Sequence, residues 1–190
     1  EHKCTKRSIT NAKCASVRYQ PNAGWTTYTV DGESSSIDVA MSAVLPLTMD
    51  NYMTAAVTAM VLEKYLSGAL ANTGMYSEVS YNFVITPQER LNLAVSVSPL
   101  SEMTYASHID PSGPIEALAI IRGMMQDLAQ TKISDSVLAS SKAYLKSNLA
   151  QRMNEPEYWL DAIAKRYLDE KHFTTSYAAK IDAVTADKVK

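Results

Sequence analysis

The strongest constraint on this fold is the stretch that runs up to Pro46. From Ser36 to Leu45, Ile37, Val39, Met41, Ala43 and Leu45 alternate with Ser36, Asp38, Ala40, Ser42 and Val44. Side chains of an extended chain point to opposite faces in turn, so this period of two predicts a strand with one buried face. Pro46 cannot donate to a ladder and ends it.

The period then changes. Ala55, Ala59, Leu62, Leu66 and Leu70 fall at helical spacing. A helix is expected from about Asp50 to Leu70, with Thr48 or Asp50 near its cap. Gly74 breaks the run. Alternation returns twice, first as Val79, Tyr81, Phe83 and Ile85, then as Leu91, Leu93, Val95 and Val97. TPQER, Thr86 to Arg90, fits a short hairpin loop between them. Upstream, WTTYTV (Trp25 to Val30) is a strand candidate rich in aromatic and β-branched residues, and Asp31 to Ser34 supplies a turn.

Pro99 to Pro114 reads as a loop and the remainder as helices. Pro114 to Gln130 carries Ile115, Leu118, Ile121, Met125 and Leu128. Ser134 caps a helix bearing Leu138, Leu145 and Leu149. Asn154 or Glu155 caps another, with Pro156 suited to its first turn and Trp159, Ile163 and Tyr167 along it. A short segment follows near Tyr177, and Thr185 reads as one more cap.

Strands joined to hairpin partners, rather than alternating strictly with helices, predict an α+β fold. Its sheet is largely antiparallel and its helices pack on one face. No repeat at solenoid period occurs. A single domain is expected over 25–190, because 190 residues at 46% hydrophobic and 20% charged can build a packed core. Residues 1–24 have charges, Asn, Pro and Gly without a period, and read as a linker or irregular arm. The chain opens on Glu1 and ends on Asp-Lys-Val-Lys where another helix begins, so a piece of a longer protein, cut at its C-terminus, is expected. No signal-peptide pattern is present, which for such a piece says nothing about the parent's compartment. The net charge of −2 gives no reason to expect nucleic acid or an anionic membrane as partner. The apolar runs fall far short of a membrane span.

Residues able to do chemistry are sparse. His2, His108 and His172 have no His or Cys partner at helical metal spacing. H-x-x-E-H and H-E-x-x-H, which set two histidines and a glutamate on one helix face around zinc, are both absent. His172 suits a helix C-terminus, where a cation meets the dipole, and His108 lies in a polar loop. Cys4 and Cys14 are either two thiols in an irregular leader or a short-loop disulfide of an exported protein. No G-x-S-x-G, P-loop or G-x-G-x-x-G occurs. Asp31/Glu33 and Asp169/Glu170 read as turn and helix-end charges. Met103, Met124, Met125 and Met153 read as core filling ahead of an adaptable binding surface. Trp159 and Tyr167 read as core.

Four stretches together resemble the pitrilysin/insulinase family of zinc metallopeptidases, specifically its C-terminal, non-catalytic domain. They are SSIDVAMSAVLPLTMDNYMTAAVTAMVLEKYL, TGMYSEVSYNFV, TKISDSVLASSKAYLKSNL and NEPEYWLDAIAKRYLDEKHFTTSYAAKIDAVTADKVK. The last looks most like bacterial zinc proteases of this family. The match runs from about Ser35 to the end.

The resemblance implies a metallopeptidase-like α+β domain that has no zinc site of its own. A catalytic half, in the same or another chain, carries H-x-x-E-H and zinc. The non-catalytic half closes over it and helps bind unfolded peptides, and export to the periplasm is implied. In such halves an arginine and, seven residues later, a tyrosine face the substrate. The tyrosine position falls on Tyr76 and the arginine position on Ala69. No basic residue lies between Lys64 and Arg90 to replace the arginine. The resemblance also admits a non-proteolytic scaffold of the same fold, as in relatives within respiratory complexes. For Tyr76 itself, covering the sheet edge stands as an alternative to contacting substrate.

Overall fold

The structure is a computed structural model that describes residues 24–28, 36–84, 88–99, 113–131, 133–160 and 176–190. Among the described residues three strands build the sheet: β1 (Ile37–Val44), β2 (Met75–Val84) and β3 (Arg90–Pro99). Their order is β1-β3-β2, and both pairings are antiparallel. Strands β1 and β2 therefore run the same way, with β3 threaded between them, and helix α1 (Met49–Leu70) makes the crossover.

The alternation in the sequence sets the two faces. Val39, Val95 and Val79 stand in one row across the three strands, and Ile37, Leu93 and Val97 join them in the core. Helix α1 covers this face together with α2 (Gly113–Gln130). The α+β layout with helices on one side of an antiparallel sheet is as the sequence predicts.

Helix α1 is the axis of the domain. Leu62, Leu66 and Leu70 repeat every four residues and pack on the sheet with Ile121. Met53, Val57 and Val61 repeat at the same spacing, offset by one residue or about 100°. They pack against Ile133, Ile181 and Val184 in a second core. Helices α3 (Asp135–Arg152), α4 (Tyr177–Asp182) and α5 (Ala186–Val189) close that side. Apolar burial on two sides is what lets a helix so rich in Ala and Leu stay ordered at its length.

Local chemistry fixes the ends. Thr48 caps α1, its hydroxyl accepting from the Asn51 N–H at 3.2 Å, while the Asn51 amide donates to the Pro46 carbonyl at 2.9 Å. The Leu47 N–H donates to the Glu89 carboxylate at 2.9 Å, tying the exit of β1 to the start of β3. After α1, Gly74 takes φ 70°, a conformation that Gly adopts without the Cβ clash, and turns the chain into β2. Ion pairs of 2.8 Å, Lys180–Asp50 and Lys146–Asp182, clip α4 to α1 and α3.

Some expectations need correction. Trp25 to Tyr28 form no strand. Thr27 instead accepts from the Arg122 guanidinium at 2.8 Å, and that guanidinium stacks over Trp25 at 4.8 Å. The segment's partner is a cation on α2 rather than a neighbouring strand. Ser134 and Thr185 hold cap positions, but neither hydroxyl bonds a helix N–H. Ser134 pairs with the Ser136 hydroxyl at 2.8 Å, and its own N–H donates to the Tyr65 hydroxyl at 3.0 Å. Trp159 is 40% exposed rather than core; its indole N–H donates to the Met153 carbonyl at 2.8 Å and its ring meets Tyr158 edge-on. Pro156 does open a helical turn, 156–160.

Several expectations lie outside the described residues. They are the three histidines, both cysteines, the arm 1–23, Thr29 and Val30, the turn at 31–34, Ile85 to Pro87, Met103 with the loop 100–112, and Ile163, Tyr167, Asp169 and Glu170.

Candidate functional site

Among the described residues, no helix covers the second face of the sheet. Tyr76, Glu78, Ser80 and Asn82 of β2 and Asp38 and Ala40 of β1 are all exposed. Residues two apart share a face, so Tyr76 belongs to this open side while Ser77, Val79, Tyr81 and Phe83 turn toward the helices. Tyr76 is 48% exposed and stands opposite Ser98. Its ring sits on β2, an edge strand, one turn of chain after α1 ends.

Ala69 lies in the last turn of α1, half-buried. A methyl group offers a peptide no hydrogen bond, so Tyr76 has no basic companion at that position. Lys64, the nearest cation before it, donates to the Ser140 hydroxyl of α3 at 2.7 Å. Arg90 is on the same open face but at the other end of β3. At about 3.4 Å per residue, the eight positions from Ser98 to Arg90 place it roughly 27 Å from the Tyr76 row. It belongs to no clamp with Tyr76.

The row next to Tyr76 is acidic. Asp38, Ser96 and Glu78 line up across β1, β3 and β2, and the Ser96 hydroxyl donates to Asp38 at 2.7 Å. Glu63 of α1 feels the same charge. Burial holds its carboxyl above the usual range, and the neighbouring Glu78 carboxylate pushes it further up. The following row, Ala40, Ala94 and Ser80, carries only small side chains. The alternation of Tyr76, Glu78, Ser80 and Asn82 was legible in the sequence and could have marked Glu78 as Tyr76's neighbour.

Other candidates are placed away from this face. Tyr81 meets Tyr52 edge-on at 5.6 Å on the helix side, and burial pushes its phenol far above the ordinary range, so it stays protonated. Met124 and Met125 pack against the sheet-side core, as gap filling predicts. Among the described residues no three His, Cys, Asp or Glu side chains gather as a metal site, and no helix is long and apolar enough to cross a membrane.

No protein-family model matches the chain, and no curated protein matches it. Solved structures do share its fold. A conserved protein of Enterococcus faecalis V583 superimposes with a TM-score of 0.58 at 16% identity, over 81% of this chain and 35% of that one. The chain thus spans about a third of that protein. A Bordetella pertussis Tohama I protein, provisionally named a zinc protease, gives a TM-score of 0.55 at 16% identity, over 81% of this chain and 83% of that one. Likeness at this identity shows the fold, and one of the proteins that share it carries a zinc-protease name.

Proposed function

We propose that this chain is the non-catalytic half of a zinc metalloendopeptidase of the pitrilysin/insulinase kind, closing a substrate chamber and helping to hold unfolded peptides. The observation that carries the reading is Tyr76, an exposed phenol on the one sheet face that no described helix covers. The fold shared with a protein provisionally named a zinc protease supports it.

In this reading the metal belongs to a catalytic half in the same or another chain, since the described residues here offer no fitting donor set. Zinc supplies an activated water there. This chain's part is positional. The Tyr76 hydroxyl donates to a peptide carbonyl, and the flat face keeps the chain extended against it. A second reading, a non-proteolytic scaffold of the same fold, is favoured by one observation: Ala69 stands where the family resemblance expects an arginine.

The test is reconstitution. Purified alone, the chain should bind no stoichiometric zinc and hydrolyse no peptide. Added to the half that carries H-x-x-E-H, it should raise peptide hydrolysis. One tightly held zinc per isolated chain overturns the non-catalytic assignment. Formation of a stable complex with no gain in hydrolysis favours the scaffold.

A further inference from the structure

The sheet's open face is electrically one-sided. Its anions, Asp38 and Glu78, are both exposed and share one row beside Tyr76, about 10 Å apart across two strand spacings. Its cation, Arg90, lies roughly 20 Å away along β3. Glu63 belongs to α1, which packs on the opposite face, and its carboxyl feels the Glu78 charge from there. Lys64 is turned to Ser140 on α3. The small side chains of Ala40, Ala94 and Ser80 leave the next row low, so an extended backbone can lie close to the sheet.

We propose that this face, from Tyr76 to the Asp38–Ser96–Glu78 row, takes the lysine- or arginine-bearing stretch of an extended peptide. The inference rests on the peptide-holding role proposed above and names the class of peptide held. An arginine beside Tyr76 would draw acidic groups. With Ala69 in that place and two exposed carboxylates in the adjoining row, the charge complement is basic. The hydroxyls of Tyr76 and Ser98 are left to hydrogen-bond the peptide backbone.

Fluorescence anisotropy with three labelled, unstructured peptides of equal length tests this. One is lysine-rich, one glutamate-rich, and one built of Ser and Ala. At low salt the lysine-rich peptide should bind the chain about fivefold more tightly than the neutral one, the gain of two exposed ion pairs. The gap should narrow as salt is added. Glu78→Lys and Asp38→Lys should each reduce the preference, while Glu157→Lys, an exposed change on the turn 156–160, should keep it. Equal binding of all three peptides, weakened throughout by Tyr76→Phe, overturns the charge preference and leaves peptide holding intact. A preference that survives Glu78→Lys and Asp38→Lys also overturns it. So does self-association of the chain that Glu78→Lys abolishes, because a second copy then occupies the face. No binding of any peptide overturns both readings.

Discussion

Tyr76 and Ser98 stand opposite each other in the β2–β3 pairing, on the face that α1 and α2 leave bare. One residue along, Ser77 and Val97 form the next pair and turn into the core, where Val97 is fully buried. A one-residue slip of β2 would bury the phenol and turn Val79 out to the open face. The exposure of Tyr76 is thus held in place by the packing of its neighbours.

Helix α3 contains an unmet hydroxyl. Ser141 is 0% exposed and its Oγ has no hydrogen-bond partner. Removing a buried, unsatisfied polar group recovers its desolvation cost, so Ser141→Ala should stabilise the chain by about 1 kcal/mol in urea unfolding. Leu66→Ala, at an equally buried position on α1, should cost about 2–5 kcal/mol. A loss of stability in Ser141→Ala would show that the hydroxyl is satisfied in solution.

Glu63 makes stability depend on pH in an unusual direction. Its carboxyl is held above the ordinary 4.5 by burial first and by Glu78 second. The folded chain therefore holds this proton more tightly than the unfolded chain. The residue's contribution is most favourable below pH 4.5 and declines as pH rises through the folded value. Glu63→Gln should raise Tm near neutral pH and leave it unchanged near pH 3.5. An equal shift at both pH values would contradict the electrostatic cause.

Arg122 is the anchor of the segment before the sheet. With its hydrogen bond to Thr27 and its stacking on Trp25 removed, Arg122→Ala should release the indole to water. Trp25 emission should shift to the red, read in a Trp159→Phe background because the chain has two tryptophans. An unchanged spectrum would mean the ring is held by something else.

Much of the fold was legible because periodicity reports burial. Strand alternation named Ile37, Val39, Val79, Leu93, Val95 and Val97, which face the core, while Ala43 at the end of the same stripe is exposed. The stripe from Ala55 to Leu70 named one buried side of α1. The second stripe, Met53, Val57 and Val61, escaped because a helix buried on two sides loses the contrast that periodicity measures. Trp25 to Tyr28 misled because β-branched and aromatic residues favour strands only where a partner strand is present, and here the partner is Arg122. Ser134 does stand at the N-cap of α3, though its hydroxyl pairs with Ser136 instead of a helix N–H.

The candidate site was legible only in part. Tyr76 was singled out by resemblance, and strand alternation places it with Glu78. That Asp38 joins them depends on β1 pairing with β3, a contact between residues 58 apart in the chain, which no local pattern encodes. The low row of Ala40, Ala94 and Ser80 has the same origin.

The most direct measurement is peptide hydrolysis by the assembled peptidase carrying Tyr76→Phe in this half. Loss of one hydrogen bond to the substrate should lower kcat/KM by roughly 3- to 10-fold. The unfolding midpoint should stay unchanged, because the exposed hydroxyl supports no packing. An unchanged kcat/KM in a correctly folded variant would contradict the role given to Tyr76 and leave it a cover for the sheet edge.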